Sequence, residues 1–198
     1  MDPVNEIFDL LSSSPREANL KAISLLDSAK SQEDRDSINW ARAYALVELN
    51  KFVEAMEIWQ EIYSRTQSHK ALHQVGFVHR SAGNLPMALK VFDQELVLIS
   101  NDDTHSIAIN LYEQTYCNLL SGFIQKAHEF FNRYESLTFN EIDLIERGCF
   151  FRLKGDLYRS IDRGIAKAAY EESLKFFTEA GDVTSSLEIN ERLLVLLS

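Results

Sequence analysis

Apolar positions along this chain fall on amphipathic helical stretches, three and four residues apart, and no strand is predicted. Four of these stretches carry one signature, an alanine followed four residues later by an aromatic ring: Ala55 with Trp59, Ala88 with Phe92, Ala127 with Phe131, and Ala166 with Tyr170. The alanines are 33, 39 and 39 residues apart. Five residues before the alanine, the first three copies place a turn-former, Asn50, Gly83 or Gly122, where one helix stops and the next begins. Each unit is therefore a helix, a tight turn and a second helix.

The ends follow the same grammar. Ser14-Pro15-Arg16-Glu17 reads as an N-cap, a proline at the first helical position and a capping-box glutamate, opening a helix to about Lys30. A short helix from about Pro3 to Leu11 would pair with it. Past Gly181 and Asp182, the residues Leu187, Ile189, Leu193, Leu194 and Leu197 form a last helical stripe. That stripe suits a cap, because the terminal unit of an array otherwise exposes its apolar face. It could equally pair between chains, so a homo-oligomer stays open. About eleven helices are expected. Gly76, with Gly148 or Gly155, would let neighbouring helices approach closely, while Gly83, Gly122, Gly164 and Gly181 would end helices.

This unit resembles the tetratricopeptide repeat (TPR), a 34-residue helix-turn-helix in which a small residue of the first helix precedes A-x3-F in the second. Residues 36–69 supply Ala43 with Ala55 and Trp59, residues 69–102 supply Gly76 with Ala88 and Phe92, and residues 108–141 supply Thr115 with Ala127 and Phe131. The fourth copy is the least regular. It offers two small glycines, Gly148 and Gly155, and its late turn at Asp162-Arg163-Gly164 predicts a first helix longer than the family's. The family's terminal proline is absent from every copy. The resemblance implies an all-α, right-handed α-solenoid in a single array over 1–198: an N-terminal helical pair over 1–35, four repeats over 36–180 and a capping helix over 183–198.

Composition narrows the work such a fold could do. Seven glycines and three prolines in 198 residues leave few turn-formers for a many-stranded sheet. Thirty acidic against twenty basic residues, a net charge of -10, disfavour a phosphate backbone, so no nucleic-acid partner is expected. Cys117 and Cys149 form no CxxC pair, which argues against a disulfide framework or a zinc site and for a reducing compartment. Asp2, Glu6 and Asp9 stand where a signal peptide would be basic, and no apolar run reaches the ~18 residues of a spanning helix. The expectation is a cytoplasmic chain with no membrane partner. No phosphate-binding glycine loop, no G-x-S-x-G elbow and no H-E-x-x-H is present. His69 and His73 share a helical face without a third ligand, so no metal, no cofactor and no catalytic role are expected. Glu33, Asp34 and Asp36 read as an acidic helix start.

In the family, positions five and nine of each first helix look into the concave face, and the resemblance implies the same here. Those positions are Trp40 and Tyr44, His73 and Phe77, Tyr112 and Tyr116, all rings at i, i+4 spacing. Arg80 at position twelve of the second copy, and Arg152 beside Cys149 in the Gly148 register of the fourth, would add positive charge. The implied function is a non-catalytic protein-protein interaction module, a scaffold that holds a peptide or partner segment in its groove. The alternative is a small cytoplasmic chaperone or peptide-responsive regulatory protein of the same repeat type. The alternative for the rings themselves is packing on the terminal helices or a neighbouring repeat. The lysines and asparagines with which some members clamp a C-terminal aspartate have no match, since Trp40 and Tyr44 stand there.

Overall fold

The computed structural model describes residues 3–137 and 143–197, without the side chain of Leu197. Among the described residues there are eleven α-helices and no strand. The chain divides into two compact units, residues 1–103 and 104–198. The first contains three helical hairpins: α1 (Pro3–Leu10) with α2 (Pro15–Leu26), α3 (Gln32–Glu48) with α4 (Phe52–Thr66), and α5 (His69–Ser81) with α6 (Leu85–Leu98). The second contains α7 (Thr104–Leu120) with α8 (Ile124–Ser136), α9 (Leu144–Tyr158) with α10 (Arg163–Glu179), and α11 (Val183–Leu197) packed on α10. The end of the third sequence copy, residues 138–141, lies outside the described residues.

The repeated alanine-aromatic signature is the core of the four hairpins that follow α1–α2. Ala55, Trp59, Ala88, Phe92, Ala127, Phe131, Ala166 and Tyr170 are all buried to 1% exposure or less. A large ring needs a small residue opposite it, and the first helix supplies one: Gly76 lies so close to Phe92 that an added Cβ would come within 2.6 Å of the ring. Four of the tight connections turn on a left-handed residue. Asn50, Gly83, Gly122 and Gly181 take φ of 58°, 77°, 77° and 73°. After each, an amide reaches back to the helix it has left, as in Asn84 N to His79 O at 2.8 Å and Phe123 N to Asn118 O at 2.9 Å.

The structure departs from the sequence reading at four places. First, α2 stops at Leu26 rather than near Lys30, because a capping box claims the next segment. The Ser31 hydroxyl accepts from Asp34 N at 3.0 Å, while the Asp34 carboxylate accepts from the amides of Ser31 and Lys30 at 3.1 Å. Ser14, by contrast, sits at the N-cap of α2 with ψ of 63° and no capping bond from its side chain, so Ser14 and Glu17 form no box. Second, Gly164 opens α10 instead of ending a helix, since Asp162 caps the amides of Gly164 and Ile165 at 2.9 and 3.0 Å. Third, α9 has 15 residues, between the 13 of α5 and the 17 of α3 and α7, so its length does not set the fourth pair apart from the other copies. Fourth, only part of the last leucine stripe packs inward. Ile189, Leu193 and Leu196 meet Tyr170 and Phe177, whereas Leu187 and Leu194 are 60% and 71% exposed. The 3.6-residue period sends those two to the opposite side of α11.

Candidate functional site

In the first unit, the rings on α3 and α5 pack on one another and stay half-buried. Trp40 and Tyr44 both meet the buried Trp59 edge-on, at 6.1 and 5.1 Å between centroids. Tyr44 also lies 6.0 Å from Phe8 of α1 and 6.4 Å from Phe77 of α5. The Arg80 guanidinium sits 5.1 Å above the Phe77 ring. Phe8, Tyr44, Phe77 and Arg80 therefore form a continuous row across three helices. Burial pushes the pKa of the Tyr44 hydroxyl above its ordinary value, so it stays a neutral group.

His73 goes elsewhere. Its Nδ1 lies 3.0 and 3.1 Å from the two oxygens of Glu95, a carboxylate only 2% exposed, and its ring is 5.4 Å from Phe92. A carboxylate buried that deeply needs hydrogen-bonding partners, and His73 gives α5 one to offer α6. His69 lies apart from this pair, with Nε2 3.9 Å from Asp103. Among the described residues no group of three His, Cys, Asp or Glu side chains could hold a metal.

The second unit carries a different chemistry. Tyr112 and Tyr116 on α7 are stacked at 6.2 Å and 15°, and Tyr112 meets Tyr134 of α8 edge-on. Arg152 of α9 donates from Nη2 to the Tyr112 hydroxyl at 3.1 Å and to the Cys149 sulfur at 3.5 Å. It lies 5.6 Å over the Phe177 ring and reaches Glu188 of α11 at 3.4 Å. Burial pushes the Tyr112 pKa up to about 12. Burial raises the Cys149 thiol too, against the pull of Arg152, so a protonated thiol is held here and not a reactive thiolate.

Both glycines of the fourth copy are close-packed, Gly148 under Phe177 and Gly155 under Tyr170. Tyr170 is the ring of the Ala166 signature, so Gly155 is the counterpart of Gly76. In that register Arg152 and Asp156 occupy positions five and nine, the places held by rings in the earlier copies. Sequence reasoning missed Asp156, Glu188 and Arg192, which complete the cluster. Asp156 is 8% exposed, accepts from the Tyr170 hydroxyl at 2.8 Å and pairs with Arg192 at 3.1 Å, and Arg192 also reaches Glu188 at 3.5 Å. Fixing the register on Gly155 would have identified Asp156. Phe8 was missed because α1 carries no copy of the signature.

No protein-family model matches the chain, and no curated relative matches it in sequence. Its fold is similar to solved structures. One is Bacillus thuringiensis PlcR in complex with the peptide PapR7 and DNA, with a TM-score of 0.75 and 15% identity over 99% of this chain and 73% of that one. Another is a set of nearly identical TPR-like repeats of a Podosopora anserina kinesin light chain, with a TM-score of 0.54 and 12% identity over 98% and 93%. At such identities the likeness establishes fold: TPR-like helical repeats of the α-solenoid class. This fold occurs in a DNA complex, so the expectation of no nucleic-acid partner rests on net charge alone. Among the described residues, no helix is long and apolar enough to cross a membrane.

Proposed function

We propose that this protein is a non-catalytic interaction module that binds a peptide or extended partner segment on the first-helix faces of its units. Trp40, Tyr44, Phe77 and Arg80 would serve the first unit, and Tyr112, Tyr116 and Arg152 the second, with His73 holding its helix in place. The observation that carries this reading is the row Phe8–Tyr44–Phe77–Arg80: an exposed ring and two half-buried ones, packed on one another, offer apolar area at little ordering cost. The structure of PlcR with the peptide PapR7 supports it by fold likeness. The same likeness favours, as a second reading, a peptide-responsive regulatory protein over a chaperone. Cys117 and Cys149 form no disulfide, which suits a reducing compartment and supports a cytoplasmic location.

The test is affinity capture from native lysate, with wild type beside a Phe77→Ala, Tyr116→Ala double variant, mass spectrometry, and circular dichroism to verify folding. Tyr44 is spared because it packs on Trp59. A partner retained by wild type and weakened at least ~10-fold in the variant supports the reading, since central aromatic anchors carry on the order of 2 kcal/mol. Equal capture by both folded proteins refutes it.

A further inference from the structure

The cluster around Arg152 has uneven charge pairing. Asp156, buried and accepting also from the Tyr170 hydroxyl, pairs closely with Arg192. Among the described residues, Arg152 is left with two neutral acceptors, Tyr112 and Cys149, and one carboxylate, Glu188, at 3.4 Å. Glu188 is the looser partner of the two arginines. Its side chain is 47% exposed against 20% for Arg152, and it is divided between Arg152 and Arg192 at 3.4 and 3.5 Å, beyond the 2.7–2.9 Å of a strong charge-assisted bond. The guanidinium itself is held in place by the Phe177 ring beneath it and the Tyr112 hydroxyl beside it. A fixed, partly desolvated cation facing a half-exposed carboxylate held only at long range is an arrangement in which that carboxylate can be exchanged.

We infer that Glu188 is an internal stand-in for a ligand carboxylate: an Asp or Glu side chain of the bound segment displaces it from Arg152, with an apolar neighbour resting on the Tyr112–Tyr116 stack. This rests on the interaction-module reading and adds to it the chemistry of the ligand and a built-in competitor. Removing the competitor strengthens binding, because the incoming acid no longer has to break an existing ion pair. Exposed pairs of this kind are weak, which sets the gain at about 2- to 5-fold. Removing Arg152 takes away the charge-assisted bond itself, a loss of ~10-fold or more.

The experiment uses the full chain and a positional-scanning hexapeptide library, N-acetylated and C-terminally amidated so that Asp and Glu side chains supply the only carboxylates. A parallel library keeps free C-termini. Binding is measured for wild type, Glu188→Gln and Arg152→Gln. The expected result is selection of Asp or Glu at one position in the amidated library, affinity raised about 2- to 5-fold by Glu188→Gln, and the acidic preference lost in Arg152→Gln. The gain in Glu188→Gln keeps the inference testable even if Arg152→Gln folds poorly, since misfolding does not increase affinity. Peptides that bind without acidic preference, or with a preference confined to free C-termini, or with affinity unchanged in Glu188→Gln, overturn the inference and leave the module reading standing. Binding of no pool by any of the three proteins overturns both.

Discussion

Replacing Gly155 by alanine adds one methyl group at the most crowded point between α9 and α10. An ideal Cβ there would lie 2.4 Å from both Cδ1 and Cε1 of Tyr170, whereas carbon atoms rest at about 3.5–4.0 Å. The ring must retreat by roughly 1 Å or the helices must part. Retreat is opposed on two sides. Tyr170 is 1% exposed, and its hydroxyl is tied at 2.8 Å to Asp156, which Arg192 also holds. Overpacking of this kind costs about 1–3 kcal/mol, and stretching a buried hydrogen bond adds about 1 kcal/mol. Alanine in a helix interior returns about 1 kcal/mol over glycine. The net is a destabilisation of about 2 kcal/mol, or a fall in Tm of roughly 4–8 °C for a chain of this length. Thermal denaturation followed by far-ultraviolet circular dichroism measures it. Gly164→Ala is the control: its Cβ would meet the end of an exposed side chain, Asp162 Oδ1 at 3.2 Å, and no buried ring, so any loss should be well below that of Gly155→Ala. In a Tyr170→Leu background, the Gly155→Ala penalty should shrink because the obstructing ring is gone. A Gly155→Ala protein that melts with or above wild type would refute the packing argument.

Three further outcomes follow from the same geometry. Ser31→Ala should cost about 1 kcal/mol in denaturant unfolding, because the hydroxyl caps Asp34, while Ser14→Ala should cost nearly nothing, because the Ser14 hydroxyl caps no amide. His73→Ala should destabilise by about 2 kcal/mol or more by weakening the hold on Glu95, and leave partner affinity nearly unchanged in the folded fraction. Loss of binding without loss of stability would instead return His73 to the interaction surface. A spectrophotometric tyrosine titration should show a group ionising near pH 12 that is absent from Tyr112→Phe, against about 10 for an ordinary tyrosine. The sign follows from linkage: a tyrosine whose folded pKa is raised binds its proton more tightly in the native state, so its contribution is intact below pH ~10 and declines as pH rises from there toward 12.

The hairpins were legible because what defines them is local. An alanine and a ring one helical turn apart, preceded by a residue able to take positive φ, specify a turn and the face that follows it, and Asn50, Gly83 and Gly122 all adopt that conformation. The phase of the fourth hairpin was not legible. Gly148 and Gly155 are both small, both in α9 and both covered by a ring of α10, so only the position of Tyr170 distinguishes them. The choice between the Ser14 and Ser31 caps was equally hidden, since both begin with serine and carry an acid three residues on; backbone ψ at the cap separates them. Ring direction was hidden for a different reason. A ring at position five fits packing and binding equally well, and His73 turned on a carboxylate 22 residues away that no helical period announces.

The same limit explains where the two units diverge. Copies of a repeat share the residues that fold them, so a difference in recognition must lie in the positions the period leaves free. In α3 those positions are Trp40 and Tyr44; in α9, with Gly155 as the small residue, they are Arg152 and Asp156. The first pair packs on an aromatic core at Trp59, and the second is neutralised across 36 residues by Glu188 and Arg192 of α11. One unit thus offers apolar area with a single guanidinium over it, and the other offers a charge cluster whose outermost carboxylate is held at long range. A segment bound by the first unit would need an apolar stretch, and one bound by the second an acidic residue. Salt should then weaken only the acidic part of the contact, because screening acts on the exposed Glu188 exchange and leaves the burial of rings unaffected.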